Sequence, residues 1–205
     1  MDDILSRRPI VVALAGPNGA GKTSFYRTYL QYSGFRFVNA DVLALELGID
    51  PYKAAQTAGD LRRQLVAMRE SFIFETVFSD PVGDKLNFLK EAEEAGYTAL
   101  LLFIGIPTAQ FSDMRVSIRV SKGGHDVPRD KLAERFPRIL ENLRKALVSL
   151  RNVRVYDNSS MKRPYRPVLK QQDGPAMELH SPTPDWLRPL LPAQCGKTSS
   201  VYTEK

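Results

Sequence analysis

Ile10-Val11-Val12-Ala13-Leu14-Ala15, followed without a break by Gly16-Pro17-Asn18-Gly19-Ala20-Gly21-Lys22-Thr23, decides how the rest of the chain is read. An apolar run of strand length leads into a segment that satisfies the phosphate-loop pattern G-x-x-x-x-G-K-[ST] at every specified position, and a helix-compatible stretch follows it. Gly16, Gly19 and Gly21 let the backbone turn its N–H groups inward, Pro17, Asn18 and Ala20 complete the loop, and Ser24 continues it into the helix. Lys22 is placed to bridge the outer phosphates of a nucleoside triphosphate, and the Thr23 hydroxyl to face a magnesium ion on the same phosphates. A dinucleotide fingerprint fits less well, because Ser24 stands where a third glycine is wanted. The expected cofactors are therefore ATP or GTP with Mg2+.

Composition narrows the class. At 205 residues, 43% hydrophobic and 25% charged, the chain suits one well-buried α/β domain. No apolar run is long enough to span a bilayer, and the acidic start Met1-Asp2-Asp3 lacks a signal core, so a cytoplasmic location and no membrane partner are expected. One cysteine, Cys195, allows no internal disulfide, and the separated His125 and His180 offer no metal cluster. The net charge of +6 would admit nucleic acid, yet the basic residues occur singly and gather around 115–138, which suits a small, multiply charged ligand instead.

Downstream of the loop, Lys22 to Gln31 reads as a helix and Phe35 to Val38 as a second strand. Asp41 then falls at the carboxyl edge of a parallel sheet, where ligands bind; it can act as general base toward an attacking hydroxyl or simply cap the helix that follows. Asp50-Pro51 opens a helix with Ala54, Ala58, Leu61, Leu65 and Met68 on one face, leaving Arg62, Arg63 and Arg69 on the side expected to be solvated. Ser71 to Phe78 is a strand interrupted by Glu75; if the strand stops near Phe74, its carboxylate stands with Thr76 at the same edge as Asp41, and otherwise it is one polar position on an edge strand. Asp80-Pro81 starts a helix through Ala95, and the continuous apolar run Thr98 to Ile104 is a central parallel strand. That strand ends in Gly105-Ile106-Pro107, without the aspartate many phosphate-loop proteins place there, which leaves Thr23, water and Asp41 or Glu75 for the metal.

A helix from Thr108 to Val120 presents Arg115 and Arg119, four apart, on one face. With Arg135 beyond the Gly-Gly segment of 121–128, they are what an arginine-bearing lid over a triphosphate needs, the alternative being an ordinary solvated face. A strand at Val153 to Asp157 delivers Asn158 to the nucleotide edge. The remainder, 161–205, holds a hairpin (Arg166 to Lys170 and Met177 to His180), a short helix over Pro184 to Leu187, and a tail expected to be disordered from about Pro192.

These segments together resemble the zeta toxin family of P-loop kinases, in its small bacterial branch. The resemblance rests on the loop at 16–23, Val38-Asn39-Ala40-Asp41, Phe72-Ile73-Phe74-Glu75-Thr76, Arg119-Val120 with Gly123-Gly124-His125-Asp126-Val127-Pro128, and Tyr156-Asp157-Asn158-Ser159, in that order over residues 9–160. Members studied as toxins phosphorylate a 3′-hydroxyl of UDP-N-acetylglucosamine or a related sugar nucleotide, and an antitoxin blocks their ATP site. The resemblance implies Asp41 as general base, Glu75 and Thr76 as substrate contacts, Lys22 and Thr23 on ATP and magnesium, and Arg119 and Arg135 on the transferring phosphate; Arg115, on one helix face with Arg119, joins the candidate substrate contacts. The expected architecture is a P-loop kinase core at 1–160, with a lid at 115–135, helices on both faces of a mostly parallel sheet of about five strands, and an extension at 161–205. A nucleic-acid or nucleoside kinase, a nucleotide-binding switch ATPase without an acceptor, and a catalytically idle partner-binding member stay open as rivals. The switch has neither a Leu-Ser-Gly-Gly-Gln-like signature nor a strand ending in Asp-Glu to support it.

Overall fold

A computed structural model describes residues 3–121, 123 and 127–192. Its sheet has seven strands in the order β2-β3-β1-β4-β5-β6-β7. They are β1 (Ile10–Ala15), β2 (Arg36–Val38), β3 (Phe72–Thr76), β4 (Thr98–Gly105), β5 (Val153–Asp157), β6 (Arg166–Gln171) and β7 (Met177–Leu179). The first five are mutually parallel, while β6 runs antiparallel to β5 and β7 antiparallel to β6. The expected count of about five is thus corrected to seven. The two hairpin strands of the C-terminal extension add to the open edge of β5, where β6 pairs with β5 across a register shift at Val155/Tyr156 and β7 pairs with β6.

Every residue of β1 is buried, because helices cover both faces of the sheet. Val11, Ala13, Phe72, Phe74, Leu101 and Phe103 face one core, filled from α3 (Pro51–Ala67), α4 (Asp84–Glu94) and most of α6 (Arg129–Ser149). Val12, Leu14, Ile73, Leu100 and Leu102 face the other, where Phe25, Leu30 and Phe136 pack. The period-two alternation of a strand sorts these residues into two cores without any polar position between them.

The helices depart from expectation mainly at their ends. α1 is α-helical only over Lys22–Phe25 and continues as a π-helical turn, Tyr26–Leu30. α4 starts at Asp84 rather than Asp80, because Gly83 takes a left-handed φ of 76° and Asp80 is left in the loop, its carboxylate accepting from the Asp84 N–H. α5 (Ala109–Val120) is capped by the Thr108 hydroxyl, which accepts from the Phe111 N–H at 3.1 Å. Residues 185–187 form a turn into a 3-10 segment, Arg188–Leu190, in place of the short helix expected at 184–187. The tail from 193 onward, together with Lys122, Gly124, His125 and Asp126 of the expected lid, lies outside the described residues.

Parallel register brings all carboxyl ends to one edge. Ala15 pairs with Thr76 and Phe103, Val38 with Phe74, and Gly105 with Asp157. The loop after β1 therefore shares its rim with the residues that follow β2, β3 and β5.

Candidate functional site

The phosphate loop closes on itself through its lysine. Lys22 is buried, and its Nζ donates to the Gly16 and Pro17 carbonyls at 3.0 and 3.2 Å, with Glu75 Oε1 3.7 Å away. Burial holds this ammonium below the ordinary lysine range; the Glu75 and Asp41 carboxylates oppose that shift and Arg119 adds to it. Gly21 has a φ of 93°, and a Cβ there would meet Asn158 Nδ2 and the Tyr165 hydroxyl, each at 2.8 Å. No other residue type fits that conformation in that space.

Glu75 is the hub. Its carboxylate accepts from the Thr23 hydroxyl at 3.1 Å and from Asn39 Nδ2 at 3.0 Å. The partners thus come from the start of α1 and the end of β2, which explains why a carboxylate is tolerated at the end of an apolar strand. Thr23 Oγ1 beside a carboxylate is a set of hard oxygen donors, which is the chemistry Mg2+ takes.

Asp41 lies in the first turn of α2 (Ala40–Leu47) and is exposed. The capping alternative for it is corrected here: the cap is Asn39, whose Oδ1 accepts from the Asp41 and Val42 N–H groups at 2.8 and 3.3 Å. With that task taken by its neighbour, the Asp41 side chain is left to the cavity.

That cavity, about 810 Å³, is lined by Asn18, Gly19, Gly21, Lys22, Thr23 and Ser24 of the loop region, and by Asp41, Glu75, Arg115, Arg119 and Asn158. Asn158 is tied to the loop, its Nδ2 donating to the Ala20 carbonyl at 2.8 Å. Ser112 of α5 likewise donates to the Asn18 carbonyl at 2.6 Å. Arg115 stacks on Phe111 at 4.6 Å, and burial lowers its pKa. A second cavity of about 200 Å³ adjoins the first; Asp41 and Glu75 line both, and Thr76 lines only the second. Arg135 is half-buried on α6 and lines neither.

Sequence reading missed three members. Tyr165, beyond the expected core, lines the larger cavity and donates from its hydroxyl to the Gly21 carbonyl at 3.0 Å. Asn39 escaped notice as cap and as Glu75 donor, although an Asn just before a helix is a capping signal. Arg62, expected to be solvated, is only 8% exposed and lines the second cavity. Its spacing on α3 alone could not reveal the two phenyl rings that cover it.

Comparison with known proteins bears on the fold. The fold resembles that of AvrRxo1-ORF1 solved with AvrRxo1-ORF2 and ATP (TM-score 0.66, 17% identity), across 84% of this chain and 60% of that one. It also resembles the PezAT chromosomal toxin-antitoxin system of Streptococcus pneumoniae (TM-score 0.57, 19% identity, 80% of this chain and 72% of that one). A third likeness is to a putative kinase from Chloroflexus aurantiacus (TM-score 0.56, 14% identity, 77% and 92%). The chain thus spans about 60% of the length of the AvrRxo1 chain it matches. No curated protein matches in sequence. The family model described as Zeta toxin matches residues 52–168, a segment that begins after the phosphate loop and Asp41, so the two lines of support come from different parts of the sequence. With more than half of its length matched and a P-loop fold to go with it, the chain belongs to the zeta toxin family.

Proposed function

We propose that this protein moves the γ-phosphoryl group of ATP to a hydroxyl of a small nucleotide-linked sugar such as UDP-N-acetylglucosamine, with Asp41 as general base. The supporting observation is that Asp41 shares one cavity with Gly19, Lys22 and Thr23, so a proton acceptor faces the cradle of a triphosphate. The acceptor's O–H proton passes to an Asp41 carboxylate oxygen as its oxygen bonds to the γ-phosphorus. The bond from that phosphorus to the β,γ-bridging oxygen breaks, and ADP leaves. Lys22 and Arg119 face the charge that develops on the phosphoryl oxygens. Arg115, Glu75 and Thr76 hold the acceptor. Thr23 and Glu75 would hold Mg2+, which supplies charge neutralisation across the outer phosphates when bound. Arg135 would contribute only from outside the cavity. The likeness to the PezAT toxin-antitoxin system supports an antitoxin partner, and a cytoplasmic setting, where ATP is supplied, goes with this reading.

Incubation with ATP and a panel of UDP-sugars, nucleosides and NAD, read by mass spectrometry for a gain of one phosphate, tests the acceptor class. Asp41→Asn is expected to lower transfer by about 10²- to 10⁴-fold while ATP affinity holds. Undiminished turnover in that variant removes the assignment of the base.

A further inference from the structure

The second cavity has one feature that proton transfer and ATP binding leave unused. Arg62 is 8% exposed, and its Nε has no hydrogen-bond partner among the described residues. Its guanidinium carbon lies 5.0 Å from the Phe74 ring centre and 5.5 Å from that of Phe88. The rings hold the plane of the group in place but offer its N–H donors no acceptor. Burial lowers its pKa, with only Asp84 counted in its favour, and that carboxylate already pairs with Lys85. A buried guanidinium without a bonded carboxylate destabilises a fold, so its presence in a cavity wall calls for an anion from outside.

The rest of the cavity says which anion. Lys85 lines it together with Arg62, while Asp41 and Glu75 line it as well and continue into the nucleotide cavity. Ala55 and Ala58 keep space free in the wall. Asp41 and Glu75 belong to the transfer machinery of the adjoining cavity, which leaves the Arg62 guanidinium, with Lys85 beside it, to meet an anion, and a forked phosphate monoester matches that fork better than a carboxylate does. We propose that this cavity is an acceptor subsite in which Arg62, with Lys85, grips the phosphate of a small phosphorylated sugar whose free hydroxyl is directed to Asp41. Arg62 is then a specificity-determining residue. The inference rests on the phosphotransfer reading above, and it assigns the sugar-linked phosphate of the acceptor to Arg62 in the second cavity.

The test uses the full chain saturated with Mg2+ and AMP-PNP, so that the loop is taken. Calorimetry and thermal shift then compare N-acetylglucosamine 1-phosphate with N-acetylglucosamine. The phosphate ester is expected to bind the parent and to lose about 10- to 10²-fold in affinity in Arg62→Met, with AMP-PNP affinity unchanged. Arg62→Lys, which keeps charge but not the fork, is expected to lose most of the same affinity. Arg62→Met should melt no lower than the parent, because it removes an uncompensated buried charge. Parent protein that fails to bind the ester, or binds it no better than the neutral sugar, overturns the proposal, as does equal ester binding by parent and Arg62→Met. A parent that binds the ester through Arg62 yet moves no phosphoryl group from ATP keeps the subsite and loses the kinase reading.

Discussion

Lys22 illustrates how a single residue carries opposing demands. Its ammonium is buried among loop carbonyls and near one carboxylate, and burial lowers its folded pKa below the ordinary value of 10.5. Between those two values the unfolded chain binds more protons than the folded one, so stability rises with pH across that window. Below that window the penalty is fully present, while the ammonium also donates to the Gly16 and Pro17 carbonyls. The stability of Lys22→Met relative to the parent is therefore expected to fall as pH rises through the window toward 10.5, read by thermal melts at several pH values. In the same variant ATP affinity should fall by about 10²-fold by calorimetry. A variant far less stable than the parent at neutral pH would show the ammonium to be structural. The residue scale is also where sequence reading is weakest. An aspartate before a helix can be base or cap, and only the Asn39 side chain, two residues upstream, settles that the cap lies elsewhere. An arginine off an apolar helix face reads as solvated, yet Arg62 is covered by Phe74 and Phe88, which are remote in sequence.

At the scale of elements, α6 does more than cover the sheet. From its buried face Asn142 donates through Nδ2 to the Phe78 and Asp80 carbonyls at 3.0 and 2.9 Å, fixing the loop that follows Glu75 and Thr76. Phe78 in that loop has a φ of 65°, a conformation a phenylalanine rarely takes without such restraint. Asn142→Leu leaves two carbonyls without a donor and should cost about 2–4 kcal/mol in denaturant unfolding. The acceptor affinity should weaken with it, since Glu75 and Thr76 precede the loop directly. A loss under about 0.5 kcal/mol, the range of ordinary surface substitutions, would mean that water takes over the two carbonyls. Periodicity predicted α3 well because it repeats an apolar face for several turns. It misplaced the start of α4 because Asp80-Pro81 is as good a local signal as the later Gly83, and a contact with α6 decides between them.

At the scale of the whole molecule, the C-terminal part braces the nucleotide rim. The Trp186 indole donates to Asp157 Oδ1 at 3.0 Å and packs so close to Gly105 that a Cβ there would lie 2.1 Å from the ring. Arg166 holds the other Asp157 oxygen at 3.2 Å, and the next residue, Asn158, bonds the phosphate loop. Trp186→Ala should therefore cost about 3–5 kcal/mol and also weaken ATP binding, although Trp186 does not line the cavity. Stability lost with ATP affinity intact would confine the tryptophan to packing. Among the described residues no helix is long and apolar enough to cross a membrane. The sequence by itself determined the phosphate loop, the parallel strands and the edge on which Asp41, Glu75 and Asn158 stand, because glycine geometry and hydrophobic period are local properties. The tertiary structure alone decided that β6 and β7 extend the sheet, that Tyr165 closes on Gly21, that Arg135 stays outside the cavity and that Arg62 lines a second one. Each of those depends on side chains far apart in the chain meeting in space, and no periodicity encodes which distant partner will cover a given residue.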